Sequence, residues 1–166
     1  MTPEQIIKLF NLMPLPGEGG FYRETFRSKE PMPSDQLPGF YQSRRVFSTC
    51  IYYMITPESY SRLHKLPTEE IWHFYLGDPI EQLQLHPDGG GETLIIGNNL
   101  MRGELPQIVV PKNTWQGSRL RPGGKFALVG TTMSPGFEFE DFIPGTEKEL
   151  LKSHPDFSKE ISKYLK

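Results

Sequence analysis

The chain has 166 residues, 36% of them hydrophobic and 23% charged, with a formal net charge of -2 and a pI near 6.1. That length supports one buried core rather than two independent domains, and the lack of a basic surplus excludes a charge-driven nucleic-acid partner. The longest apolar runs, 49–56 and 71–76, fall far short of the roughly 20 residues that a membrane-spanning helix needs, so no membrane partner is expected.

Sixteen glycines and sixteen prolines beside 12% aromatics suit many short strands punctuated by tight turns, which disfavours an all-helical fold. The opening MTPEQIIKLFNL lacks the basic start, apolar centre and cleavage site of a secretory leader. Cys50 is the single cysteine and reads as a small buried apolar residue, so no internal disulfide is available and the expected location is the reducing cytoplasm.

Residues 2–13 place Ile6, Ile7, Leu9, Phe10 and Met13 at helical spacing, with Thr2 as N-cap and Pro3 at the first helical position. The segment 14–20 breaks this helix, and GGFYRETFRS reads as a strand leaving a Gly-Gly turn. Residues 28–45 are rich in proline and polar groups without a period, and are expected to form a long loop able to act as a lid. From 46 to 142 short strands recur: VFSTCIYYMI, YSRLHKL, EIWHFYLG, IEQLQLH, GETLIIG, PQIVV, WQGSRL, KFALVGTTM and FEFEDF. Turn signals such as Gly77-Asp78-Pro79, Pro87-Asp88-Gly89 and Pro122-Gly123-Gly124 separate them. Many strands at short intervals with no helices between them predict an all-β sandwich or barrel. The last residues read as two short helices broken at His154-Pro155. The chain is therefore one domain over 1–166: a helix and lead-in (1–18), a β-barrel (19–143) and a helical tail (144–166).

The segment SRLHKLPTEEIWHFYLG (61–77), taken with PKNTWQ (111–116), resembles the cupin superfamily. The first cupin motif has two histidines one residue apart, a glutamate a few residues on and a glycine seven after it. His64, Glu70 and Gly77 match three of these places, and Leu66 stands where the second histidine belongs. In the second motif Pro111 matches, whereas Asn113 and Gln116 replace the glycine and the histidine. More narrowly, GGFYRET, HKLPTEEIWHFYLGDP, VPKNTWQ and PGFEFEDF, in that order, resemble a small family of single-domain cupins (Cupin_5 type), covering about residues 3–152. The resemblance implies a double-stranded β-helix (jelly-roll) barrel with an N-terminal helix and short C-terminal helices, usually a homodimer, and brings no settled activity. A more distant similarity is to the sugar-nucleotide epimerases of rhamnose synthesis, which use this barrel without a metal.

If 60–66 and 70–76 are neighbouring antiparallel strands joined by a turn at 67–69, alternation places Arg62, His64, Leu66, Glu70, Trp72 and Phe74 on one face, with His73 and Tyr75 on the other. An imidazole beside a carboxylate on an aromatic wall is an acid/base pair, so His64 and Glu70 are the candidate catalytic residues. Arg23, Arg62, Trp72, Phe74, Trp115 and Gln116 are the candidate ligand-binding residues. Arg23 with Glu24 reads either as a fork for phosphate or carboxylate or as an ion pair at a strand edge. A divalent metal, if held, would use His64, Glu70 and Gln116, but an amide oxygen is a weak donor and Leu66 is none, which favours a metal-free pocket.

The expected function is binding of a small molecule, nucleotide- or sugar-linked, with proton transfer of the epimerase or isomerase kind. The alternatives are a non-catalytic ligand-binding or storage-like cupin and a metal-dependent enzyme with degenerate ligands.

Overall fold

The structure is a computed structural model describing residues 1–41 and 43–165. Helix α1 (Pro3–Phe10) begins in a capping box: Gln5 N donates to Thr2 Oγ1, Thr2 N donates to Gln5 Oε1, and Pro3 sits in the first turn, where its missing N–H leaves no helical bond unmade. The helix ends earlier than its apolar spacing predicts, because Asn11 turns left-handed and the chain leaves as a strand. There follow β1 (Met13–Pro14), β2 (Phe21–Arg27), β3 (Thr49–Ile55), β4 (Ser61–Lys65), β5 (Glu70–Gly77), β6 (Ile80–Leu85), β7 (Gly91–Ile96), β8 (Gln107–Val110), β9 (Trp115–Leu120), β10 (Ala127–Met133) and β11 (Ile143–Pro144). Helices α2 (Glu147–Ser153) and α3 (Ser158–Ile161) close the chain. No helix among the described residues is long and apolar enough to cross a membrane.

The strands form two antiparallel sheets, β1-β2-β3-β10-β5-β8 and β11-β4-β9-β6-β7, which face each other as a jelly-roll β-sandwich. Contrary to the adjacent antiparallel pairing expected from the sequence, strands β4 and β5 are not neighbours. Both edges of β5 are taken, by β10 and β8, so the chain crosses at 67–69 from one sheet to the other. The acidic-aromatic run 137–142 is not a strand either: it closes in a 3-10 turn (Phe139–Asp141), held as Glu138 N donates to Asp141 Oδ2. Segment 28–45 carries its own ties, a bridge between Pro31 and Val46 and a 3-10 turn (Ser34–Gln36); Gln42 lies outside the described residues.

Side-chain alternation divides the molecule into layers. Tyr53 and Ile55 of β3, Trp72 of β5, and Ala127 and Val129 of β10 meet Ile80, Ile96 and Leu120 from the facing sheet in the central core. The outer face of the larger sheet is covered by α1, whose Ile6 packs with Met54 and Leu128. The outer face of the smaller sheet is covered by the C-terminal helices, where Leu63, Leu83, Leu85 and Trp115 pack with Leu150, Ile161 and Tyr164.

Candidate functional site

The inward positions of β3, β5 and β10 change character along their length. Tyr53, Trp72 and Val129 fill the core, whereas Thr49, Ile51, Glu70, Thr131 and Met133, further along the same faces, line a cavity of about 250 Å³. His64 and Leu66 close it from β4, Tyr22, Glu24 and Arg27 from β2, and Phe137 and Phe139 from the segment before β11.

His64 reaches the cavity through a bulge. Ser61 pairs with Ser118 and His64 with Gln116, so β4 spends one more residue than β9 between these pairs. Ser61 and His64 therefore both point inward, and Arg62, predicted to share the face of His64, is exposed to solvent. The His64 side chain is only 2% exposed. Its Nδ1 lies 2.8 Å from the Arg62 carbonyl, which can only accept, so Nδ1 carries the hydrogen and Nε2 presents a lone pair when the ring is neutral. Phe142 stacks on the ring, with centroids 5.0 Å apart and planes 29° apart.

Facing that lone pair is Glu18, a residue the sequence reading passed over because it sits in a turn without periodicity. Glu18 Oε2 lies 4.0 Å from His64 Nε2, and Ser61 Oγ donates to Glu18 Oε1 at 2.7 Å. The turn is fixed from several sides: Arg62 N donates to the Glu18 carbonyl at 3.1 Å, Tyr53 OH donates to the Gly19 carbonyl at 2.8 Å, and Gly20 N donates to Ser59 Oγ at 2.8 Å. Gly19 has φ +102°, and a Cβ there would collide with the Tyr60 carbonyl, so the approach that delivers Glu18 requires glycine.

Glu70 is buried at the start of β5. Trp72 Nε1 donates to its Oε2 at 3.0 Å and Gln116 Nε2 at 2.7 Å. Burial raises its pKa, the Glu18 charge raises it further, and His64, Thr131 and Gln116 offset part of this, leaving Glu70 above the ordinary carboxylate value.

His64, Glu70, Trp72 and Gln116 thus come together, the first two on the cavity wall and the other two behind Glu70. Phe74 is half-buried and packs against the central core. Arg23 lies on the outer face with its guanidinium 5.5 Å from the Tyr52 ring centre, because β2 turns Tyr22 and Glu24 inward. Trp115 also faces outward, under the C-terminal helices, with Lys65 Nζ 4.3 Å from its ring centre; alternation along β9 cannot aim both Trp115 and Gln116 at one cavity. Arg27, not predicted, is the guanidinium in the cavity wall. It holds Glu24 Oε2 at 2.8 Å and Glu138 Oε1 at 2.7 Å.

The donor set does not suit a resident divalent ion. Gln116 Oε1 is occupied by the Trp72 indole at 3.1 Å, Glu70 Oε2 accepts two hydrogen bonds, and Leu66 offers no donor atom. Among the described residues no group of three His, Cys, Asp or Glu side chains is placed to hold a metal ion.

A jelly roll packed at one end and hollow at the other, with a histidine and a glutamate on the cavity wall, defines a cupin-type barrel. The chain belongs to the family described as Cupin superfamily (DUF985), which matches residues 4–143. The uncharacterized protein YML079W of Saccharomyces cerevisiae is 31% identical over 142 residues, spanning 79% of this chain and 70% of that protein. Among solved structures, a hypothetical protein from Leishmania major superimposes with a TM-score of 0.87 at 31% identity, covering 99% of each chain. Protein SO0799 from Shewanella oneidensis gives 0.86 at 32% identity, covering 100% of this chain and 98% of its own.

Proposed function

We propose that the cavity binds a small, sugar-sized molecule and that His64 and Glu70 move a proton on it without a metal, as an isomerase or epimerase does. The observation that carries this reading is that one cavity is lined, from its two facing sheets, by a histidine lone pair fixed by the Arg62 carbonyl and by a carboxyl group whose burial favours its protonated form. His64 Nε2 takes a proton from the carbon beside a carbonyl as Glu70 delivers its own to the carbonyl oxygen. The resulting enediol takes the proton from His64 on the former carbonyl carbon while its other hydroxyl gives a proton to Glu70, which moves the carbonyl by one carbon and restores both residues.

The volume, about 250 Å³, lies just under the roughly 300 to 1,000 Å³ of clefts for drug-sized ligands. A nucleotide-linked sugar would fit with its phosphates outside, since Arg27 is committed to Glu24 and Glu138. A second reading, a binding protein without catalysis, is favoured by the two hydrogen bonds already on Glu70 Oε2, which suit a structural carboxylate.

Incubation in deuterium oxide with a panel of aldoses and ketoses, followed by NMR, separates the two. The expected result is protein-dependent exchange of a carbon-bound proton, lost in His64→Ala and Glu70→Gln. A small molecule retained in the native mass spectrum, with no exchange on any sugar, would establish the binding protein instead. Exchange that a chelator abolishes would overturn the metal-free mechanism.

A further inference from the structure

Resting on the reading of the cavity as the ligand site, we infer that it is built for a small organic cation, a protonated amine, in preference to a neutral or anionic molecule of the same size. Carboxylates exceed the one guanidinium among the charged groups of the wall. Glu18, Glu24 and Glu70 line it, and all three nitrogens of Arg27 are engaged: Nε and Nη2 by Glu24, Nη1 by Glu138, and Nη2 also by the Phe137 carbonyl. Arg27 is therefore neutralised with a carboxylate to spare, and presents no free fork to an incoming anion.

An independent observation comes from His64. This side chain is 2% exposed, and its Nε2 has no hydrogen-bond partner among the described residues, the nearest carboxylate oxygen, on Glu18, lying 4.0 Å away. That separation is too wide for a hydrogen bond. With Nδ1 donating to the Arg62 carbonyl, Nε2 of the neutral ring is an acceptor facing another acceptor. An N–H group placed against both would satisfy the two together, and an ammonium carries such donors along with the compensating charge. Tyr22, Phe137 and Phe139 complete the wall, and aromatic rings attract cations. Burial and then the Glu18 charge raise the proton affinity of Glu70, and a cation seated beside both carboxylates would lower it.

Trp72 Nε1–H donates to Glu70 and is one of two indole groups in the chain, so its NMR resonance reports on the cavity. The experiment titrates nitrogen-15-labelled protein with glucosamine, glucose and glucuronate, and with ethanolamine, at several pH values. Glucosamine and ethanolamine are expected to shift the Trp72 indole saturably, glucosamine about tenfold more tightly than glucose, the effect of one charge-assisted hydrogen bond, with no response to glucuronate. Glu18→Gln, which keeps an acceptor for Ser61, is expected to weaken both amines about tenfold. Affinity for ethanolamine is expected to rise with pH as Glu70, acted on by Glu18, His64 and Tyr53, gives up its proton, and to fall again where the amine itself loses its charge.

Equal or tighter binding of glucose or glucuronate, no response to either amine, or unchanged affinity in Glu18→Gln would each overturn the inference. A glucose response that matches glucosamine overturns the cation class and leaves the proton-transfer site standing. Amine binding without exchange of carbon-bound protons overturns the enzyme and leaves this inference standing.

Discussion

The Trp72 indole N–H is shared between Glu70 Oε2 at 3.0 Å and Gln116 Oε1 at 3.1 Å, and the Gln116 amide closes the triangle on Glu70 at 2.7 Å. The catalytic candidate is thus oriented by two residues that do not line the cavity, and Gln116, at the place of a cupin metal ligand, acts as a second donor to the carboxylate.

Trp72→Phe keeps an aromatic ring in the core and removes the shared donor. Gln116 Oε1 then lacks its indole partner in a buried site and Glu70 Oε2 keeps one donor of two. The expected cost is about 1–3 kcal/mol, the penalty for a buried polar group left unsatisfied, read by urea denaturation. Glu70 should also hold its proton more tightly, because a hydrogen bond to the charged form has gone. A loss no larger than that of a conservative core replacement would show that the triangle contributes nothing.

The pH dependence of stability follows from the upward shift of Glu70. The native state holds this proton to a higher pH than the unfolded chain does, so unfolding releases a proton between the two values. This contribution is neutral below the ordinary carboxylate value and destabilises progressively as pH rises through the raised one. Glu70→Gln retains a carbonyl oxygen for the Trp72 and Gln116 donors and removes the charge. Its melting temperature is expected to match the wild type in acid and to exceed it by a few degrees above neutrality. Parallel curves for the two proteins over the whole range would contradict the assignment.

Local signals made part of this molecule legible in advance. Thr2, Pro3 and Gln5 mark α1 because capping is a short-range interaction, and alternation marks most strands. His64, Glu70 and Gln116 stand at places of the cupin motifs, and the structure brings them together. Other features depend on partners distant in sequence. Whether Arg23 or its neighbours Tyr22 and Glu24 face inward is decided by α1 covering one side of the sheet, and Arg62 is turned outward by a bulge that only the pairing of β4 with β9 defines. Arg27 and Glu138 are 111 residues apart, and nothing near either one announces the pair.

Arg45 and Asp141 provide a test of how the cavity is closed. Their side chains are 1% and 5% exposed and meet at 2.5 Å, with Glu140 adding a second carboxylate at 3.0 Å. Asp141 lies in the same short segment as Phe137 and Phe139 on the cavity wall and Phe142 on His64, so this buried pair fastens the segment from outside as Arg27 does from the cavity side. Arg45→Met leaves Asp141 uncompensated, an expected loss of about 3–5 kcal/mol. Adding Asp141→Asn removes the stranded charge and should recover much of it. In the double variant, hydrogen exchange at residues 137–142 is expected to be faster than in the wild type, with the strands of the core unchanged. Stability recovered with no change in that exchange would mean that Arg27, through Glu138 and the Phe137 carbonyl, is sufficient to hold the segment in place.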